Sequence, residues 1–184
     1  MVRCFISIDV EDRELLDRIM EISSQLLATG ALIKPVEREN IHLTLKFLGE
    51  ISPALIDKVY DVMRAIEFKP FIIKLETLGA FPSVSNPRVI WIGVSEGANA
   101  VVSIYEQLER GLEKLGFKRE REKFIPHITL ARVKGPRNKG LLVKKIMELS
   151  TVSIGEMNVN RIRLKQSILT PKGPIYKTLR EVER

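Results

Sequence analysis

Ile41-His42-Leu43-Thr44-Leu45 and Pro126-His127-Ile128-Thr129-Leu130 are one pattern written twice, 85 residues apart (127 − 42) in a chain of 184. They contain the only two histidines present. In an extended strand, residues i and i+2 point to the same face. Each stretch then raises an imidazole and a hydroxyl on one side. On the other it buries Leu43 with Leu45, or Ile128 with Leu130. A single His-x-Thr is weak evidence and usually marks a histidine satisfied at the edge of a core. A matched pair in corresponding halves reverses that balance. It predicts two motif strands, about Ile41 to Leu48 and Phe124 to Val133, that carry function.

Outward from these strands, helices and strands alternate. Met1 to Val10 reads as a strand, with Cys4, Ile6, Ile8 and Val10 on one face and Phe5 on the other. Asp9 and Glu11-Asp12 stand where they would cap a helix of roughly Glu11 to Ala28. Its Leu15, Leu16, Ile19, Ile22, Leu26 and Leu27 fall at helical spacing, and Thr29-Gly30 ends it. A short extended piece, Ala31 to Val36, leads to the first motif. Ser52-Pro53 opens a second helix that runs to Ile66, with Pro at a tolerated first-turn position. Strands Phe71 to Leu78 and Arg88 to Val94 flank Gly79 to Pro87, a stretch rich in breakers that reads as a loop.

A third helix, Ala98 to Leu115, stops at Gly116 and precedes a basic approach, Lys118 to Lys123, into the second motif. Gly135 to Gly140 lacks the Gly-x-x-x-x-Gly-Lys-Ser/Thr pattern of a phosphate cradle and reads as a turn before a helix Leu141 to Leu149. Strands Val152 to Val159, Arg161 to Leu169 and Ile175 to Val182 close the chain, with Pro171-Lys172-Gly173-Pro174 turning between the last two. Short strands separated by few residues predict antiparallel pairing. The expected class is α+β: two pseudo-symmetric lobes, each a mostly antiparallel sheet with helices on its outer face, enclosing a central cleft. No linker is long or polar enough to release the halves, so 1–184 reads as a single bilobal domain.

Composition narrows the partners. A hydrophobic fraction of 45% supports a sizeable core, and 29% charged residues without a long polar tract argue against disorder. A net charge of +7 and a pI near 9.6 favour an anionic partner, nucleic acid or a phosphorylated substrate ahead of a membrane. Cys4 is the sole cysteine, so neither an intrachain disulfide nor a thiolate metal cluster can form. No run of about 18 apolar residues is present, and the N-terminal residues lack a signal-peptide pattern. A cytoplasmic protein is expected, with a monomer favoured.

The chemistry follows from what two histidines and two hydroxyls can do. Two imidazoles on separate strands, without cysteine or an acidic residue at ligand spacing, fall short of a zinc site. No Gly-x-Ser-x-Gly marks a nucleophilic serine. Paired acid–base catalysis fits better, because imidazoles titrate near pH 6.5 and one can be neutral while the other is protonated. In-line displacement at phosphorus needs a base on the entering oxygen and an acid on the leaving one. Thr44 and Thr129 are placed to donate to the non-bridging oxygens, where charge accumulates. Arg132 and Lys46, close behind the motifs, are candidate phosphate ligands.

The two motifs, with His42 to Glu50 and Pro126 to Arg132 as their extended forms, resemble the two-histidine phosphoesterase superfamily. More narrowly they are similar to the prokaryotic RNA 2′,3′-cyclic phosphodiesterases, also known as 2′-5′ RNA ligases. The likeness extends to Arg3-Cys4-Phe5-Ile6-Ser7-Ile8-Asp9, Pro87-Arg88-Val89-Ile90-Trp91 and Gly173-Pro174-Ile175-Tyr176. The resemblance implies that His42 is the general acid toward the ribose O3′ and that His127 activates the nucleophile. It also implies that Arg132 grips the phosphate and that Phe47 stacks on the base. A spacing of five puts Phe47 and Arg132 on the wrong face of a regular strand, so a bulge or strand end is expected at each. The implied substrate is RNA with a 2′,3′-cyclic phosphate end, tRNA halves among the candidates, with no cofactor, no metal and no membrane. Water gives a 2′-phosphate, and an RNA 5′-OH in its place gives a 2′-5′ link. The competing readings are a non-catalytic module that binds RNA ends and a phosphodiesterase for a small cyclic nucleotide; for Phe47 alone the competing reading is simple core packing.

Overall fold

All nine strands join one sheet. In chain order they are β1 (Val2–Asp9), β2 (Ile33–Pro35), β3 (His42–Ile51), β4 (Phe71–Pro82), β5 (Pro87–Val94), β6 (His127–Val133), β7 (Ser153–Val159), β8 (Arg161–Thr170) and β9 (Gly173–Glu183). The helices are α1 (Arg13–Leu27), α2 (Pro53–Arg64), α3 (Ala98–Glu113) and α4 (Lys139–Glu148), and a single 3-10 turn, Arg38–Asn40, leads into β3. The structure is a computed structural model that describes residues 1–184. Every pairing is antiparallel, in the order β7-β4-β5-β6-β3-β1-β8-β9, and β2 adds to β6. The class is α+β, as expected.

The order has the same logic from either end. One lobe is β3-β1-β8-β9 and the other is β6-β5-β4-β7, and the two motif strands meet at the seam. In each lobe the seam strand follows its neighbour through a helix, β1–α1–β3 and β5–α3–β6. These helices are exchanged between lobes. The α1 helix leaves β1 and packs on β7 and α4, while α3 leaves β5 and packs on β3 and α2. Each half therefore covers the apolar face of the other, which binds the lobes more firmly than the short loops could.

Local chemistry explains most boundaries. Asp12, in extended conformation, accepts the Leu15 N–H at 2.7 Å and starts α1. Leu15, Leu16, Ile19, Ile22 and Leu26 form its buried stripe, whereas Leu27 faces solvent. Asp9 is no cap; it points into the cleft and binds Lys165 and Arg163. The stretch Gly79 to Pro87 is mostly strand: β4 continues to Pro82, and only Ser83 to Asn86 turn. Its glycine is there for space, since a Cβ on Gly79 would come within 2.4 Å of the Trp91 ring that lies across it. The α4 helix starts at Lys139, earlier than the glycine-rich turn suggested. Leu43, Leu45, Ile128 and Leu130 are buried in the core, where truncation to alanine costs about 2–5 kcal/mol each. No helix is long and apolar enough to cross a membrane.

Candidate active site

The seam between the lobes is a single bridge, Leu43 opposite Ile128. Both point into the core, so the next residues in that register point to the cleft: His42 opposite Thr129, and Thr44 opposite His127. The imidazoles then occupy one diagonal of a four-residue patch and the hydroxyls the other. Diagonal neighbours across an antiparallel pair are about 7–8 Å apart at the backbone. The patch has an imidazole at each end and a hydroxyl at each side.

Both strands are bulged at the same place. In β3 the pairing with β1 skips a residue twice, so that Phe5 pairs with Phe47, Ile6 with Lys46 and Ser7 with Thr44. In β6 the pairing with β5 jumps from Trp91–Thr129 to Ile90–Ala131. Leu45 and Lys46 are consecutive and both buried, as are Leu130 and Ala131. This puts two inward residues in a row and returns Phe47 and Arg132 to the face of the histidines. Phe47 is 64% exposed and Arg132 is exposed.

Each imidazole is held from behind. His42 Nδ1 lies 2.7 Å from the carbonyl of Asn40, and His127 Nδ1 lies 2.6 Å from the carbonyl of Ile125. A carbonyl can only accept, so both Nδ1 atoms carry the proton and both Nε2 atoms face the cleft. His42 Nε2 is 2.9 Å from Thr44 Oγ1, which donates to it in the neutral tautomer. Aromatic walls enclose both rings: Phe5 and Tyr176 have centroids 5.0 and 5.3 Å from that of His42, and Phe81 lies 5.1 Å and Trp91 6.1 Å from His127. Burial lowers the pKa of both histidines below the ordinary 6.5. At His42 the Asn40 carbonyl and the Asp9 charge oppose that fall, while Lys165 and His127 add to it.

A cavity of about 510 Å³ opens over this patch, lined by His42, Thr44, Thr129, Arg132 and Phe47 together with Phe5 and Tyr176. His127 is not on its lining but stands at its margin, two residues from Thr129 on the same face. Five cations line it, Arg3, Lys34, Arg132, Lys134 and Lys172, against two carboxylates, Glu37 and Glu50. That excess suits an anionic ligand.

One basic expectation does not fit, and a second basic stretch lies apart from the cleft lining. Lys46 is only 4% exposed and faces away from the cleft. Its Nζ pairs with Glu109 at 2.7 Å and Glu120 at 3.2 Å, and donates to the carbonyl of Lys118 at 2.8 Å. The bulge that brings Phe47 into the cleft turns Lys46 out of it. The approach Lys118 to Glu120 is tied to α3 by the same cluster, by Glu120 N–H to Glu109 and by Arg119 to Glu113. It sits behind the sheet.

Reading the sequence missed Asn40, Asp9, Lys165, Phe5 and the place of Tyr176. Asn40, 7% exposed, also donates from its side chain to the carbonyl of Pro174 at 2.9 Å. Asp9 accepts from Lys165 Nζ at 2.5 Å, from Arg163 at 3.0 Å and from Ser7 at 2.8 Å. Burial would raise its pKa, but those partners outweigh it and lower it. Apart from the Ser7 contact, these join residues more than a hundred positions apart, and no local pattern announces them. No group of three or more His, Cys, Asp or Glu side chains is gathered that could hold a metal ion.

Similarity to known proteins agrees with this geometry. The RNA 2′,3′-cyclic phosphodiesterase of Aeropyrum pernix is 45% identical over 169 residues, which is 92% of this chain and 96% of that protein. The protein of the same name from Archaeoglobus fulgidus is 41% identical over 185 residues, 99% of this chain and 100% of its own. The crystal structure of TT0787 of Thermus thermophilus superposes with a TM-score of 0.81 at 28% identity, covering 98% of this chain and 97% of that one. The family described as LigT like phosphoesterase matches at residues 8–91 and at 92–176, one match for each half of the duplicated fold. The chain belongs to the LigT-like phosphoesterase family.

Proposed function

We propose that the protein hydrolyses terminal RNA 2′,3′-cyclic phosphate to a 2′-phosphate by two-histidine acid–base catalysis. The observation that carries this reading is the diagonal pair of imidazoles, both oriented by a carbonyl at Nδ1 so that Nε2 meets the cleft. His127 Nε2 takes the proton of the attacking water. Protonated His42 delivers its proton to the ribose O3′ as the O3′–P bond breaks, which leaves the phosphate on O2′. Thr44 turns its hydroxyl from His42 Nε2 to one non-bridging oxygen, and Thr129 takes the other. Arg132 balances the charge on the phosphate, and Phe47 receives the terminal base. The two relatives above bear the name of this activity over nearly the whole chain, and the cationic lining is what such a substrate needs.

The test is turnover of RNA ending in 2′,3′-cyclic phosphate by the purified protein with EDTA present, read by phosphorus NMR. A 2′-phosphate product is expected, with His42→Ala and His127→Ala each reducing the rate by about 10²–10⁴-fold while circular dichroism stays unchanged. A 3′-phosphate product would exchange the roles of acid and base. An unchanged rate in either variant would remove the two-histidine mechanism, and binding without turnover by the wild type would leave an RNA-end-binding module.

A further inference from the structure

The cleft is symmetric in its motifs and asymmetric in its arms. From the seam outward, the cleft face of β3 presents Phe47 and then Gly49. The equivalent positions of the second motif, five and seven residues after the histidine, are Arg132 in β6 and Lys134 just past its end, and both line the cleft. The β3 arm is aromatic, with the Phe5 ring 6.2 Å from Phe47 and the Tyr176 ring 4.8 Å from Phe5. The β6 arm is cationic.

That arm is larger than Arg132. Lys34 of β2 lies directly opposite Arg132 in register, so both point into the cleft, about 4.5–5.5 Å apart at the backbone. Lys134 follows two residues on, about 6.6 Å along the strand. The tip of the β8–β9 hairpin crosses from the other lobe to the same place. The Asn40 side chain holds it at Pro174, and a Cβ on Gly173 would stand 4.0 Å from Lys34 Nζ. Lys172, next to that glycine, lines the cavity too. Some cations elsewhere on the surface find carboxylates, among them Lys74 with Glu76, Lys145 with Glu148 and Arg180 with Asp57. Lys34, Lys134 and Lys172 form no such pair, and neither does Glu37 beside them. Three ammonium groups left facing one cavity repel one another, and an anion relieves that repulsion.

We propose that Lys34, Lys134 and Lys172 form a second anion site, distinct from the one at the reacting phosphorus, that takes the phosphodiester on the 5′ side of the terminal nucleotide. This rests on the hydrolase reading above and adds its substrate class: an oligonucleotide end in preference to a mononucleoside cyclic phosphate. The separation of Lys134 from Arg132 is comparable to that of successive phosphates along an extended strand. The terminal base then goes to the aromatic arm and the rest of the chain leaves along the cationic one. Ammonium groups contact the backbone and not base edges, so the preference is for the diester and not for a sequence.

The experiment compares kcat/KM for a mononucleoside 2′,3′-cyclic phosphate, a dinucleotide with the same terminal residue, and that dinucleotide with an uncharged methylphosphonate linkage. All three are run on the wild type, Lys34→Ala, Lys134→Ala, Lys172→Ala and the Lys34→Ala/Lys134→Ala double variant. The three lysines are exposed, so folding should be little affected. The wild type is expected to prefer the charged dinucleotide by about tenfold or more, mostly through KM, and to treat the methylphosphonate like the mononucleotide. The double variant should bring the dinucleotide-to-mononucleotide ratio close to one. Each lysine removed should also flatten the salt dependence of oligonucleotide binding by roughly 0.7 in log–log slope. Equal constants for mono- and dinucleotide in the wild type, or a preference that survives in the double variant, overturns the proposal. Calorimetric Kd values for the same ligands read the site without turnover: no turnover of either substrate overturns the hydrolase reading, and equal Kd values overturn this one.

Discussion

Asn40 holds His42 twice over: its carbonyl accepts the Nδ1 proton of the imidazole at 2.7 Å, and its side chain ties that carbonyl to the β8–β9 hairpin at Pro174. The other copy of the motif has the first contact and lacks the second. Ile125 gives its carbonyl to His127 but is itself 44% exposed, with no polar side chain to fix it. Orientation of the two imidazoles therefore has different sources, one tertiary and one local.

Asn40→Ala keeps the carbonyl and releases it from the hairpin. The expected result is a fall in kcat of up to about 10²-fold, the scale of a small misplacement at a reacting group, with KM nearly unchanged. Nitrogen-15 NMR should show His42 losing its uniform Nδ1–H tautomer while His127 keeps it. A tautomer population that stays intact in the variant would show that the side-chain tie does nothing for the imidazole.

The pH dependence follows from burial. Both histidines titrate below the ordinary 6.5 in the folded protein. The bell of kcat/KM, which reports the free enzyme, should therefore be centred below pH 6.5, with limbs that belong to the pair and not to single residues. A bound phosphate stabilises imidazolium, so the alkaline limb of kcat should lie higher than that of kcat/KM. His127→Ala should remove the acidic limb and His42→Ala the alkaline one. For stability, the unfolded chain binds more protons between 6.5 and the lower folded values, so this contribution is full above 6.5 and is lost as pH falls through that window. A kcat/KM optimum on the alkaline side of neutrality would contradict the burial effect.

Phe47 stands at 64% exposure, too open to be a core residue. Phe47→Ala should leave the melting temperature unchanged and raise KM by about 5- to 150-fold, the range of one base–aromatic stack. Phe47→Trp should keep KM low. A lowered Tm with unaltered KM would mean that the ring only packs.

Lys46 is predicted to serve stability and not the phosphate. Lys46→Ala leaves Glu109, itself 6% exposed, without its cation. Removing one partner of a buried pair costs about 3–5 kcal/mol. In a chain of this size that lowers Tm by roughly 6–20 °C. KM for a cyclic phosphate should stay the same, and thermal melting beside steady-state kinetics checks both.

The chain order alone determined a great deal here. Two copies of His-x-Thr-x with apolar partners at period 2 identified the motif strands, since that alternation has only one reading in a half-buried strand. Helical spacing located α1, α2 and α3 to within two residues or so, and the roles that the family resemblance implies for Phe47 and Arg132, five residues after their histidines, demanded a bulge. Side-chain direction after a bulge is another matter. The skipped residue turns Lys46 inward and Phe47 outward, and only the pairing of β3 with β1 decides where the skip falls. The exchange of α1 and α3 between lobes, the hairpin that reaches Asn40, and the Asp9–Lys165 pair are likewise tertiary. Local propensity acts over a few residues, whereas these contacts are made when the sheet curls and brings distant strands to one face. The motifs are local, and the asymmetry of the cleft that they share is not.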